Sequence, residues 1–231
     1  MITTLSFDLD DTLWDPRPAL IAADKAQWFA LAQRYPDLAE RLTRDQIFVC
    51  RKQILTDVPS IVGDVTALRI EVMYRLLLSL DIAPAEADES AKMAFEAFMA
   101  KRNDVILFAE TIPMLENVSK SYTVVAITNG NADVFKTEIG PYFDLSIRAD
   151  KAGIAKPDRG IFDLTWEKLG CQPNDVIHIG DSVDNDIQGA INAGVTPIWY
   201  NPDKEKNTIG VNEVRALSEL PSVIQQISDR H

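Results

Sequence analysis

Asp8, Asp10, Asp11 and Asp15 place four carboxylates within eight residues, directly after the mainly apolar run Ile2 to Phe7. That run reads as a short buried strand, and the acids stand where it ends. Two like charges about 4 Å apart repel by roughly 4 kcal/mol at an effective dielectric near 20. A divalent cation bound through oxygen offsets that repulsion; a polar strand end followed by an Asx-type turn would need no cation. Residues i and i+2 of a strand face one side. Asp8 and Asp10 can therefore be offered to a single reactant, one to attack and the other to move a proton. Asp11 falls in the turn and reads as a turn or surface carboxylate.

Three later segments carry further candidates: Ile127-Thr128-Asn129-Gly130, Lys156-Pro157, and Ile179-Gly180-Asp181-Ser182-Val183-Asp184-Asn185-Asp186. Thr128 ends an apolar strand with a hydroxyl. It can cap the turn, or donate to a phosphoryl oxygen together with the Asn129 and Gly130 amides. Lys156 can be an ordinary surface lysine, or an ammonium whose backbone Pro157 stiffens and whose charge balances an anion. Asp181 can cap the helix that follows or ligate a cation. His178, inside an apolar strand, reads as a buried core histidine. Cys50 and Cys171 lie far apart, without metal-like spacing, and are expected to stay reduced.

The order Asp-x-Asp-x-Thr, Thr-Asn-Gly, Lys-Pro, Gly-Asp-Ser-x-x-x-Asp resembles the phosphatase branch of the haloacid dehalogenase superfamily over nearly the whole chain. The resemblance implies Asp8 as the nucleophile that forms an aspartyl-phosphate. Asp10 is then the acid and base, with its backbone carbonyl a metal ligand. Thr128, Asn129, Gly130 and Lys156 hold the phosphoryl group, and Thr12 stabilises the catalytic loop through a local hydroxyl–backbone bond. Mg²⁺ is the implied cofactor, bound by Asp8, Asp10 and Asp181, with Asp186 in the outer shell, acting through a water or through Lys156. The runs Phe7 to Asp15, Arg17-Pro18, Asp64-Val65-Thr66 and Val125 to Ala132 look like bacterial flavin mononucleotide phosphatases. Those enzymes also act on the phosphoribitylamino-uracil intermediate of riboflavin synthesis. The alternatives are a phosphatase of sugar phosphates or nucleotides, a phosphomutase, and, from a different class, a non-catalytic phospho-receiver or binding protein. A true dehalogenase has no leaving alcohol to protonate, and Asp10 argues against it.

The elements that must position these residues follow from periodicity. Pro16 and Pro18 end the strand region, and helical spacing runs over 19–34, 39–55, 65–80 and 85–102. Asp64 is a candidate N-cap. Beyond Leu107, apolar strands at 122–127, 143–148, 176–179 and 195–200 alternate with helices at 111–119, 133–139, 159–169 and 182–193. The tail from Pro202 reads as loop until a closing helix at 220–228. This predicts a doubly wound parallel α/β sheet with a Rossmann-like core, residues 1–15 and 104–231. An inserted four-helix cap, residues 16–103, would interrupt it after the first strand. The superfamily's strand order would set that first strand beside the one ending at Gly180, bringing Asp8, Asp10 and Asp181 together.

The 231 residues carry net charge -12, pI about 4.6 and mean hydropathy -0.06. Such a surface disfavours nucleic acid and anionic membrane, and no apolar run approaches a membrane span. With no signal-like amino terminus, the expectation is a soluble cytoplasmic protein, a monomer or homodimer, acting on a small phosphate monoester. Residues 15–103 hold 12 basic and 13 acidic side chains, leaving 11 and 22 for the remainder, so the acidity belongs to the core. Trp14 and Arg17, just after the acidic loop, are the candidate contacts to the leaving group.

Overall fold

The computed structural model describes residues 1–230, apart from the side chain of Ala39. Contacts divide the chain into one unit of Met1–Pro16 with Val105 onward, and a second of Arg17–Asp104. The first begins with β1 (Thr4–Phe7), buried at every residue, and β2 (Trp14–Asp15). The second unit follows as α1 (Arg17–Arg34), α2 (Leu38–Arg41), α3 (Arg44–Asp57), α4 (Val65–Leu78) and α5 (Pro84–Arg102). The chain then returns through β3 (Ile106–Leu107), antiparallel to β2. After it come α6 (Thr111–Val118), β4 (Thr123–Thr128), β5 (Leu145–Arg148), α7 (Ala149–Ala152), α8 (Arg159–Leu169) and β6 (Val176–Gly180). The chain finishes with α9 (Gly189–Ala193), β7 (Thr196–Tyr200), β8 (Asn212–Val214) and α10 (Leu220–Ser228). Among the described residues no helix is long and apolar enough to cross a membrane.

Six strands form one parallel sheet in the order β5-β4-β1-β6-β7-β8. The order reverses at β1, which lies between β4 and β6, and open α/β sheets bind ligands beyond the strand ends at such a switch. Phe7 pairs with Ala126 on one side and Ile179 on the other. That register sets Asp8 level with Ile127 and Gly180. The strands read as near-continuous apolar runs because both faces are covered. Leu5, Phe7, Val124, Ala126, Ile177 and Ile179 pack on one face. Val125, Ile127 and Val176 pack on the other, with Phe162 and Trp166 of α8 and Ala190 of α9. Ser6 and His178 are buried polar residues set opposite each other in register within these runs.

In the helical unit the span expected as one helix over 39–55 is two. Thr43 accepts from the Gln46 amide and Gln46 answers to the Thr43 amide, a reciprocal cap that stops α2 and starts α3. Asp64 caps α4 by accepting from the Ala67 amide at 2.8 Å. Leu31, Ile54, Leu68, Val72, Leu76 and Ala91 form the unit's core.

Three local expectations for the first unit change. The helix expected over 133–139 is a pair of 3-10 turns, Val134–Lys136 and Gly140–Tyr142. The Thr137 hydroxyl donates to the Val134 carbonyl at 2.7 Å and competes with helical continuation. The helix expected over 182–193 opens with a π-helical turn, Val183–Gln188, before α9. The tail contains β8, whose polar sequence is consistent with an edge strand paired only to β7.

Candidate active site

The Asp8 amide still donates to the Ile179 carbonyl at 2.9 Å, so the strand geometry runs up to the first acid. The Leu9 carbonyl then accepts from Leu13 at 2.8 Å and from Thr12 at 3.3 Å, folding the chain into a tight turn. Asp11 sits in that turn, exposed, at φ 60°, a left-handed conformation that Asp tolerates. Trp14 has no exposed surface and packs in the sheet core; its indole N–H donates to Asp10 Oδ1 at 2.7 Å. The structure thus puts Trp14 behind Asp10, holding it, rather than at a surface where a leaving group would rest. The Thr12 hydroxyl donates to Asp181 Oδ1 at 2.9 Å, not to nearby backbone as expected.

Lys156 is the hub. The Asn129 side chain clamps its backbone, accepting from Lys156 N at 2.7 Å and donating to Lys156 O at 2.8 Å. The Lys156-Pro157 peptide is cis. The buried ammonium donates to Asp8 Oδ1 at 2.7 Å, Ile127 O at 2.7 Å and Asp186 Oδ1 at 2.6 Å. Asp186 also accepts from the Ser182 amide at 2.9 Å, and His178 Nε2 lies 3.2 Å from its Oδ1. A Cβ on Gly180 would land on the Asp186 carboxylate, so this position must lack a side chain. Ser182, not Asp181, caps the following turn by accepting from the Asn185 amide at 3.2 Å.

Three carboxylates against one ammonium leave an excess of negative charge. Burial pushes the Asp8 carboxyl up to about 8; Lys156 opposes this, and the charges of Asp186 and Asp181 add to it. Burial and the charge of Asp186 push Asp181 up to about 6. Burial opposes ionisation of Asp186, yet the Lys156 charge and the donor from His178 hold it well below the usual carboxylate range. Burial would lower Lys156, but Asp186 and Asp8 raise it above its ordinary value. Oxygens of Asp8, Asp181 and Asp186 lie within 4.8 Å of one another. An all-oxygen, anionic donor set of this size fits a hard divalent cation. The Asp10 carboxylate is not in that cluster; its Oδ1 accepts from the Trp14 indole.

A pocket of about 140 Å³ opens here, lined by Asp8, Asp10, Thr128, Lys156, Asn185 and Asp186 among others. The Thr128 hydroxyl oxygen accepts from the Gly130 amide at 3.0 Å. The Gly130 amide is thereby engaged, and the hydroxyl hydrogen points elsewhere.

The sequence model of a haloacid dehalogenase-like hydrolase matches residues 2–194. The chain belongs to the haloacid dehalogenase-like hydrolase family. It is 30% identical over 230 residues to the 5-amino-6-(5-phospho-D-ribitylamino)uracil phosphatase YigB of Escherichia coli K12, covering 96% of both chains. It is 23% identical over 242 residues to the glyceraldehyde 3-phosphate phosphatase of Methanothermobacter thermautotrophicus, covering 97% of this chain and all of that one. A crystal structure described as a 2-haloacid dehalogenase from Pseudomonas syringae superimposes with TM-score 0.91 at 35% identity, covering 98% and 99% of the two chains.

In this member of the family the sheet brings Asp8, Asp10, Thr128, Asn129, Gly130, Lys156 and Asp186 to one pocket, with Asp181 joined to it through Asp8 and Asp186. Arg17 opens α1 of the helical unit and is exposed. Sequence reasoning placed His178 in the core, where it lies, but passed over its contact with Asp186, the tie from Thr12 to Asp181, and the Asn129 clamp on Lys156. For His178 a signal existed: two polar residues, Ser6 and His178, interrupt apolar strands that must be buried.

Proposed function

We propose that this hydrolase is a Mg²⁺-dependent phosphatase that works through an aspartyl-phosphate, with flavin mononucleotide or a riboflavin-pathway phosphate as substrate. The observation that carries the reading is the buried Lys156 ammonium held between Asp8 and Asp186 at the end of the central strand. It supplies a fixed positive charge beside a carboxylate at the mouth of the pocket.

In this reading the Asp8 carboxylate attacks phosphorus as the ester oxygen departs, and the Asp10 carboxyl gives its proton to that oxygen. Asp10, now ionised, takes a proton from the water that opens the Asp8–phosphoryl bond, releasing phosphate and restoring both groups. The Thr128 hydroxyl and the Asn129 backbone amide donate to the phosphoryl oxygens, and the Lys156 charge offsets theirs; Trp14 keeps the Asp10 carboxyl oriented. Asp8, Asp181 and the Asp10 carbonyl would hold Mg²⁺, with Thr12 and Asp186 supporting from behind. The cation would supply charge that ionises Asp8 and neutralises its repulsion with the phosphate. The helical unit, residues 17–104, is the cap of this reading.

The flavin-pathway assignment rests on YigB, which is named for the ribitylamino-uracil phosphate. Turnover of a panel holding flavin mononucleotide, the ribitylamino-uracil phosphate, a nucleotide and glyceraldehyde 3-phosphate tests it, with Mg²⁺ and with chelator. Mg²⁺-dependent preference for a flavin-pathway ester is the expected result. Turnover of the other esters alone would discard that substrate and keep the chemistry. The Pseudomonas resemblance makes a halocarboxylate the control: halide release without phosphate release would overturn the phosphatase reading.

A further inference from the structure

We propose that His178 is a positioning residue of this centre: its ring, protonated on Nε2, holds Asp186 and through it fixes the Lys156 ammonium against Asp8. The kinetic half rests on the phosphatase reading; the Nε2 proton stands on geometry alone.

His178 lies inside β6 with no exposed surface, directly opposite Ser6. Its Nε2 is 3.2 Å from Asp186 Oδ1. An ionised carboxylate only accepts, so Nε2 must carry a hydrogen. Its Nδ1 is 2.8 Å from the Ser6 hydroxyl, whose other acceptor, the Ile177 carbonyl, is farther at 3.4 Å. In a neutral ring Nδ1 then accepts, and the Ser6 hydroxyl donates to it. Burial disfavours the charged ring, Asp186 favours it, and the Lys156 charge disfavours it. The Phe162 ring meets the imidazole edge to face at 5.1 Å and restrains its plane.

The consequence falls on Lys156. All three ammonium hydrogens are directed to acceptors, and the Asp186 oxygen that takes one of them also takes His178. With His178 replaced by hydrocarbon, the carboxylate keeps the Ser182 amide and Lys156 but loses one of its three donors. Lys156 would then shift relative to Asp8. Groups that orient a reacting centre from behind are worth about 10–100-fold.

Two measurements test this. The chain has two histidines, so a two-bond proton–nitrogen spectrum of the ¹⁵N-labelled protein at pH 7.5, with His231→Gln for assignment, reads the tautomer of His178 directly. A ring protonated on Nε2 is expected; a ring protonated on Nδ1 alone would overturn the proposal. Kinetics with p-nitrophenyl phosphate and Mg²⁺ follow on His178→Leu and His178→Gln, both checked for folding by thermal melting. The leucine variant should lose about 10–100-fold in kcat with KM little changed. The glutamine variant, whose amide nitrogen can stand near the place of Nε2, should recover most of it. Wild-type kcat in a folded leucine variant, a loss confined to KM, or equal losses in both variants would refute the positioning role. If the wild-type protein hydrolyses no phosphate ester, the phosphatase reading falls, and the spectrum still upholds or refutes the Nε2 proton.

Discussion

Lys156 donates to a carbonyl and two carboxylates, all buried, and no water replaces a lost partner cheaply. Removing one member of a buried ion cluster costs most when it leaves charges uncompensated. Lys156→Met strands Asp8 and Asp186 together and should cost about 3 kcal/mol in urea unfolding without added cation. Asp8→Asn leaves Lys156 paired with Asp186 and should cost clearly less, while turnover falls by at least about 1,000-fold for want of a nucleophile. Residual Mg²⁺-dependent phosphatase activity in folded Asp8→Asn would sink the aspartyl-phosphate. Thr12→Val removes the donor to Asp181 without changing its charge. It should weaken Mg²⁺ activation about 10-fold or more, read as the cation concentration giving half-maximal rate.

At the scale of elements, two single substitutions separate framework from site. β6 ends in Gly180 because the π-helical turn brings the Asp186 carboxylate back over it. Gly180→Ala should therefore depress kcat strongly by displacing Asp186 and with it Lys156, and a fully active Gly180→Ala enzyme would contradict the packing described. Asp64 caps α4 in the helical unit. Asp64→Ala should lower stability by about 1 kcal/mol. Both effects were half visible in sequence. Asp64 before an apolar run is a cap signal, and the structure bears it out. Gly180 before an acid was legible as a strand end, but not as the seat of a side chain six residues on.

For the whole molecule the acidic excess decides how stability follows pH. Asp181 is raised from 3.8 to about 6 and Asp8 from 3.8 to about 8. Between each pair of values the folded state holds a proton that the unfolded chain releases. Their share of stability is therefore complete below about pH 4 and is lost as the pH rises through 6 and then 8. Without cation, Asp181→Asn should melt level with wild type near pH 4 and above it at pH 8. On the proposed reading Mg²⁺ would bind the folded, ionised cluster, so at pH 8 it should raise the melting temperature of wild type more than that of Asp181→Asn. An Mg²⁺ shift in wild type that is equal at pH 5 and pH 8 would show that these carboxylates do not bind it.

The sequence alone determined the apolar strands, the doubly wound sheet, the interruption after the first strand, and which residue types stand at strand ends. Those are local properties: a run of β-branched residues is apolar wherever it lies, and an acid after Phe7 follows a strand in any arrangement. Tertiary structure alone decided who meets whom. Thr12 finds Asp181 across 169 residues, Ser6 finds His178 across 172, and Lys156 finds Asp186 across 30. Each of these pairs depends on β1 lying between β4 and β6 in one register. A shift of one residue would turn Ser6 to the opposite face and part it from His178. Strand order and register are set by how the apolar layers on both faces of the sheet pack at once, which is why neither Ser6 beside His178 nor Thr12 beside Asp181 could be read from its neighbours in the chain.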